Sequence, residues 1–333
     1  MKIIAFGDFL MHFSPIGNER FIQADTYKLS FTGAEANVVS ALSFWNKNCK
    51  FVTALPSNAI ADKSIAFLKS LNVNTEHVIR KNGRMGVYFL ETGASVRASS
   101  VIYDRQPSVF TQTTFDEYNF DDILDGANYL FITGITPALS DNLFNVTLKL
   151  LKKCKELGVK VIYDVNLRSN LITAENAGKN LKAFAPYLHL LISNEEHLKS
   201  LLDISTSLGE DQKQERLKDL TEQAQTILDV PNIAITVRRT HTLNNATVSA
   251  SLKFNDKFSL SKDYSVHVVD RVGSGDAFSA GLVYALTENY NVDDAVDFAV
   301  ASNAIKHTVI NDVNYVSIDE INSVRKGGYD VKR

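Results

Sequence analysis

The segment Asp270-Arg271-Val272-Gly273-Ser274-Gly275-Asp276-Ala277-Phe278 has the residue types and spacing best suited to chemistry in this chain. Strand-like residues Tyr264 to Val269 precede it, and a small, apolar, helix-like run, Ala277 to Leu286, follows. A strand, a glycine turn and a helix start make an anion site. The first N–H groups of a helix have no intrahelical partner, and the helix dipole favours negative charge there. An aspartate beside a bound anion has one useful task. It accepts the proton of an alcohol whose oxygen attacks a phosphoryl group held by those N–H groups. The alternative is an ordinary first-turn aspartate, which the dipole alone favours. Two other glycine loops are excluded. A dinucleotide fingerprint requires glycine where Phe278 stands, and a phosphate-binding Gly-Lys-Ser/Thr loop is absent because Gly178-Lys179 is followed by Asn180.

Other residues offer contacts for a polar ligand. Gly7-Asp8 follows the first strand, so Asp8 stands at a strand end, able to accept from substrate hydroxyls or simply to close a turn. Gly33-Ala34-Glu35-Ala36-Asn37 opens a helix of small residues, which allow close approach of a ligand or a neighbouring helix. Asn37 is a poor interior helix former one turn in, within reach of a ligand at that helix start. Tyr103-Asp104-Arg105 and Asn166-Leu167-Arg168 each supply an arginine, and an arginine pair holds a carboxylate or phosphate bidentately. Taken singly, each arginine fits a surface ion pair equally well. Asn194-Glu195-Glu196 follows an apolar strand and suits either magnesium–phosphate work or a helix cap with acidic first-turn residues. His12, His77 and His189 show no metal-ligand spacing.

The elements that must position these residues follow from periodicity. Strands are expected at Tyr129 to Thr133, Lys160 to Asp164, His189 to Ile192 and Ile233 to Val237. Helices are expected at Ser140 to Glu156, Ala174 to Tyr187, Glu195 to Leu202 and Asp211 to Leu228. This alternation argues for a mainly parallel sheet covered on both faces. Residues 10–32 and 84–112 break the pattern and read as antiparallel hairpins that could form a small β-sheet over the site. A further hairpin is expected at Lys253 to Phe258, turning at Asn255-Asp256. The chain has 333 residues, 45% hydrophobic and 22% charged, with a net charge of -3, which supports a substantial core and gives no basic surface for nucleic acid. No apolar run reaches membrane-spanning length, and Met1 to Phe6 reads as a first strand, not a secretion signal. Cys49 and Cys154 are too few and too far apart for a disulfide framework, so a reducing cytoplasm is the expected setting.

With Gly7-Asp8, Gly33 to Asn37 and Gly273-Ser274-Gly275-Asp276 laid out, the chain resembles the PfkB-type, or ribokinase-like, carbohydrate kinases over nearly its whole length. Within that family it is most similar to members acting on 2-keto-3-deoxygluconate. That similarity lies in Ser14 to Phe21, Tyr88 to Ala94, Tyr103-Asp104-Arg105, Thr133 to Ser140, Asp164 to Arg168 and Lys306-His307-Thr308. The resemblance implies an α/β, ribokinase-like three-layer fold with a mainly parallel central sheet and a small β-sheet lid. Residues 1–9, 33–83 and 113–333 would form the core, and 10–32 and 84–112 the lid. It also implies ATP and Mg²⁺ as cosubstrates, transfer of the γ-phosphoryl group to a terminal sugar-acid hydroxyl, and a homo-oligomer built through the lid. Asp276 matches the catalytic base, and Gly273, Ser274 and Gly275 the anion hole. Gly33, Asn37, Tyr88, Tyr103, Arg105 and Arg168 match sugar-acid positions, joined by Asp8 and, at the site rim, Asp312. Asn194, Thr236, Arg238 and Asn303 match nucleotide positions.

The chain departs from the family pattern in places. Thr32-Gly33 stands where Gly-Gly is usual, which narrows the approach to the sugar. His197 stands where the broader family has a glutamate, leaving Glu195 or Glu196 to assist the metal, whose ligands stay open. Asp270-Arg271-Val272 replaces the Asp-Thr-Thr of potassium-activated members, so a monovalent-cation requirement does not follow. Other sugar kinases of this fold, acting on fructose, ribose or a galactonate epimer, and a non-catalytic sugar-acid sensor are the competing readings. Neutral sugars give an arginine pair nothing to hold, and a sensor has no need of the base.

Overall fold

Alternation along the central strands sets the layers. In strand Lys2–Phe6, Ile3 and Ala5 enter one apolar cluster and Ile4 and Phe6 another. Strand Tyr129–Thr133 does the same, with Tyr129 and Phe131 on one side and Leu130 and Ile132 on the other. Successive strand side chains point to opposite faces, so a strand apolar throughout must be covered twice. The computed structural model, which describes residues 1–328, has that covering. Helices Ala34–Phe44, Ala59–Ser70, Ser274–Thr287 and Val292–Lys306 pack on one face. Helices Asp141–Leu157, Ala174–Phe184, Glu195–Leu202 and Lys213–Leu228 pack on the other. The result is the expected ribokinase-like α/β arrangement of three layers.

From one edge inward the main sheet runs Asn48–Val52, Lys2–Phe6, Tyr129–Thr133, Lys160–Asp164, Leu188–Asn194 and Asn232–Thr242, all parallel. Strand Asn245–Phe254 then adds antiparallel and carries both Lys257–Leu260 and Tyr264–His267. The expected hairpin is present, with Asn255 at φ 52° in its turn. A separate four-stranded sheet has the order Tyr27–Thr32, Leu10–Pro15, Gly86–Glu91, Ser100–Asp104. Its outer pairings are antiparallel, as the hairpin reading requires, but the central pairing of Leu10–Pro15 with Gly86–Glu91 is parallel. Two hairpins distant in sequence thus fuse into one sheet. Its edge strand Ser100–Asp104 is exposed throughout, including Val101, Ile102 and Tyr103.

Element ends differ from the sequence reading for local reasons. The helix expected to reach Tyr187 stops at Phe184, and Ala185–Tyr187 tightens into a 3₁₀ turn around Pro186, which lacks the N–H that α-helical bonding needs. The strand expected over Ile233 to Val237 runs on to Thr242. Its charged end, Arg238-Arg239, hides the strand from a hydrophobicity pattern, while the ladder with Thr247 and Val248 holds it. Helix Ser274–Thr287 begins three residues before the apolar run that announces it.

Candidate active site

The C-terminal ends of the parallel strands converge with two helix starts. Asp8 follows strand Lys2–Phe6, Asp164 ends Lys160–Asp164, Asn194 ends Leu188–Asn194, and Thr236 lies in Asn232–Thr242. Helices Ala34–Phe44 and Ser274–Thr287 point their N-termini at the same space. Open parallel sheets collect ligands at this end because the strand-to-helix turns lie there. The space is a cavity of about 440 Å³. Every catalytic, sugar-acid and nucleotide residue anticipated from the sequence lines it except Asn303. Asn303 lines an adjoining cavity of about 320 Å³, together with Asn194, Thr236 and Arg238. Ser274 and Gly275 line both, so the glycine loop forms the boundary between the two.

Two glycines lining the larger cavity are required by space. A Cβ on Gly33 would lie 2.1 Å from the Asp8 carbonyl oxygen. Gly273 has φ 72°, and a Cβ there would lie 2.0 Å from the Asp312 carbonyl oxygen. Gly275 has open space beside it, consistent with a backbone that faces the cavity.

Asp276 sits in the first turn of helix Ser274–Thr287. Burial pushes its pKa up to about 7, and the nearby charges of Asp164 and Asp312 add to the rise. The Asn37 side-chain N–H donates to its Oδ2 at 2.8 Å and works the other way, with Arg168, by favouring the ionised form. Thr32 explains why Asn37 points there. The Asn37 amide also bonds the Thr32 hydroxyl, at 3.1 Å, so Thr32 steadies the amide and does more than narrow the cavity. Asp164 is a second raised carboxyl, pushed up to about 6 mainly by burial, and it accepts from the Ser279 hydroxyl at 2.9 Å. Sequence reading missed it as a site group, because an aspartate ending an apolar strand gives no distinctive signal.

The cationic residues fall into two states. Arg105 is taken up by Asp8, with Nη2 at 2.8 Å and Nε at 3.3 Å from Oδ2, and its guanidinium lies 5.5 Å from the Tyr103 ring centroid. The two residues read separately as ligand contacts therefore hold each other, joining the small sheet to the main body. Arg168 makes only long contacts, 3.4 Å, to the carbonyls of Asn166 and Leu167. Arg105 and Arg168 still line one shared recess with Tyr103. On the other side of the loop, Nε and Nη2 of Arg238 are buried and have no hydrogen-bond partner among the described residues. Burial and the neighbouring Arg271 lower its pKa to about 10. A half-buried cation with two enclosed, open donors at the border of two cavities suits an anion.

Tyr88 and Asp312 are also linked. The Tyr88 hydroxyl donates to Asp312 Oδ1 at 2.9 Å, His12 Nδ1 lies 2.8 Å from Oδ2, and the His12 and Tyr88 rings stack at 4.2 Å. Burial opposes the Asp312 charge, but hydrogen bonds from His12, Thr32 and Tyr88 hold its carboxyl below the usual range. His12 was read only as lacking metal-ligand spacing, and its role as a partner of Asp312, 300 residues away, has no sequence signal. Asn194 caps helix Glu195–Leu202 by accepting from His197 N–H at 2.7 Å, so the capping alternative holds alongside its place in both cavities. His197, also bonded to the Asn194 amide, lines both as well. Glu195, buried and paired with Arg216 at 3.1 Å, and Glu196, paired with Lys199 at 2.8 Å, both line the smaller cavity. Glu35 is buried and accepts from Thr133 N–H and from the Thr133 and Thr136 hydroxyls, which fixes helix Ala34–Phe44 to the sheet end.

Among the described residues, no three His, Cys, Asp or Glu group into a metal site, and no helix is long and apolar enough to cross a membrane.

Known proteins resemble this chain along its length. The sequence profile of the pfkB family carbohydrate kinases matches residues 1–314. The crystal structure of 2-dehydro-3-deoxygluconokinase from Thermotoga maritima superposes with a TM-score of 0.94 at 34% identity, covering 98% of this chain and 100% of that one. The 2-dehydro-3-deoxygalactonokinase of Haloferax volcanii is 26% identical over 329 residues, 98% of this chain and 97% of its own. A 5-dehydro-2-deoxygluconokinase of Clostridium beijerinckii is 23% identical over 309 residues, 92% of this chain and 86% of its own. The profile match spans nearly the whole chain and includes the glycine loop and Asp276, so this protein belongs to the pfkB family of carbohydrate kinases.

Proposed function

We propose that the protein transfers the γ-phosphoryl group of ATP to the terminal hydroxyl of 2-keto-3-deoxygluconate, giving 2-keto-3-deoxy-6-phosphogluconate. One observation carries the reading. Asp276, with a pKa near neutrality, lies at the loop that divides an arginine-containing cavity from one bordered by the open donors of Arg238. In this reading the sugar acid occupies the larger cavity. Arg168 and Arg105 face its carboxylate, while Asn37, Tyr103 and Asp8 meet hydroxyl and keto oxygens. ATP occupies the smaller cavity beside Asn194, Thr236 and Asn303, with its phosphates toward Arg238.

Ionised Asp276 accepts the proton of the attacking hydroxyl, and the N–H groups of Gly273, Ser274 and Gly275 stabilise charge on the transferring group. Mg²⁺ bound to the phosphates neutralises their charge, and such ions take one or two protein carboxylates. Glu195 and Glu196 both border the nucleotide cavity, the first paired with Arg216 and the second with Lys199, so either would serve the ion by giving up its present cation. The small sheet acts as a lid that excludes water, and its exposed edge Val101-Ile102-Tyr103 is the face through which copies would associate.

The relatives named above act on both gluconate and galactonate epimers, so the galactonate acid is the second reading. ATP consumption with Mg²⁺ against 2-keto-3-deoxygluconate, its galactonate epimer, 5-keto-2-deoxygluconate, fructose and ribose tests the assignment. A kcat/KM for 2-keto-3-deoxygluconate at least tenfold above the others supports it. Preference for a neutral sugar would overturn the arginine–carboxylate argument, and binding without turnover would favour a sensor.

A further inference from the structure

Behind the glycine loop lies a buried amine. Lys306 ends helix Val292–Lys306 and is 0% exposed. Its Nζ donates to the carbonyl oxygen of Val272 at 2.8 Å and to that of Val309 at 2.9 Å. Asp270 ties the same two segments together, accepting from Val272 N–H at 3.0 Å and Asn311 N–H at 2.9 Å. Burial disfavours the charged amine, while the carboxylates of Asp270, Asp312 and Asp276 favour it.

The Val272 carbonyl belongs to the peptide that carries the Gly273 N–H. In a planar trans peptide the C=O and N–H point in opposite directions. Fixing the Val272 oxygen against the ammonium therefore fixes the direction of the Gly273 N–H. A positive charge on that oxygen also polarises the peptide and makes its N–H a stronger donor. The backbone cannot easily be held otherwise, since Gly273 sits at φ 72° against the Asp312 carbonyl.

Converging backbone carbonyls beside a carboxylate are also what a weakly hydrated monovalent cation binds. Here that ground is held by the lysine itself. We propose that Lys306 is a positioning residue that acts as a built-in monovalent cation for the phosphoryl-holding loop, so that this kinase needs no free K⁺ or Na⁺. The inference rests on the kinase reading for its turnover readout, but its melting readout is independent of the sugar.

The test compares wild type, Lys306→Ala and Lys306→Met in tetramethylammonium buffer. K⁺, Na⁺ or NH₄⁺ is titrated in at constant ionic strength, and both ATP turnover and the thermal midpoint are followed. Wild type is expected to respond to none of the ions beyond the tetramethylammonium control. Lys306→Ala is expected to lose roughly 100-fold in kcat, the scale of one lost oxyanion-hole donor. It should regain at least about tenfold, saturably, with K⁺ or NH₄⁺, and its midpoint should rise with the same ions. Lys306→Met, whose chain fills the space, should lose activity and regain none. Several-fold activation of wild type by K⁺ overturns the proposal. So does a Lys306→Ala enzyme that is fully active without added ions, or one whose loss no ion restores. If neither variant folds, the wild-type response decides. If no sugar in the panel is turned over, the substrate reading fails while the ion-dependent melting of wild type and Lys306→Ala still decides this one.

Discussion

Replacing Asn37 with alanine should move the pH profile of the reaction in a direction that the site's hydrogen bonding fixes. A general base works only when ionised, so kcat/KM for the sugar acid should rise with pH through the Asp276 midpoint, near 7 in wild type. The Asn37 amide donates to Asp276 at 2.8 Å and lowers that midpoint by favouring the carboxylate. A hydrogen bond to an ionised group contributes about 1.5–3 kcal/mol, and each pKa unit corresponds to roughly 1.4 kcal/mol. Losing the bond therefore raises the midpoint by about one unit if water replaces part of it, and by about two if the space stays dry. At pH 7 a one-unit rise cuts the ionised fraction from about a half to about a tenth, a roughly fivefold loss that disappears by about pH 9. Lost contact between Asn37 and the sugar would lower the whole curve without moving it. Asp164→Asn supplies the opposite sign, because it removes a charge that raises the Asp276 pKa. The Asp164 charge acts on Asp276, so the assay reads apparent midpoints from kcat/KM between pH 5.5 and 9.5. An Asn37→Ala midpoint that stays put or falls, or an Asp164→Asn midpoint that rises, would show that these groups do not tune Asp276.

Asp276→Asn should retain sugar-acid and ATP binding by calorimetry while turnover falls by about 10²–10⁴, and normal turnover removes Asp276 from the mechanism. The same variant should melt above wild type at pH 8 but close to it at pH 4, the lower end of the window. The folded-state pKa near 7 lies above the ordinary 3.8, so the folded protein holds the extra proton between those values and wild-type stability falls as pH rises through them. Arg168→Met should raise KM for a keto-acid at least tenfold with little change in melting, since Arg168 has no ion-pair partner to strand among the described residues. Arg105→Met should do both harms, because it leaves the buried Asp8 without its cation, and the check is a fall in thermal midpoint that Arg168→Met lacks. Gly33→Ala should abolish activity or folding, judged by circular dichroism and turnover together, since its Cβ falls 2.1 Å from the Asp8 carbonyl.

What the sequence discloses here is what local pattern controls. Strand Lys160–Asp164 and helix Glu195–Leu202 have the ends that periodicity assigns them, because both are short, bounded by turn or capping residues, and packed by neighbours close in the chain. Strand Asn232–Thr242 was half hidden, since Arg238 and Arg239 are held extended by a ladder to Thr247 and Val248, not by burial of their own side chains. The parallel pairing of Leu10–Pro15 with Gly86–Glu91 was hidden for the same reason at longer range. Alternation identifies a strand but not its partner when about seventy residues intervene.

The site divides along the same line. Gly33, Gly273 and Asp276 are legible because glycine at a forced close approach and an acid at a helix start are locally unusual choices. Arg105 and Asp8 are each legible as charged residues near a site, but their mutual pairing is not, and it changes what each can do. Asp8 cannot accept freely from a hydroxyl while it neutralises Arg105, so any sugar contact it makes must be shared with that pair. Asp164, His12 and Lys306 are the extreme case. Each is an ordinary residue type at an ordinary place in its element, and each acquires its character from a partner distant in the chain: Ser279, Asp312 and the Val272 carbonyl. The charges that tune Asp276 are of this second kind, so its identity as a base can be read from the sequence, whereas the pH at which it works is set by long-range packing.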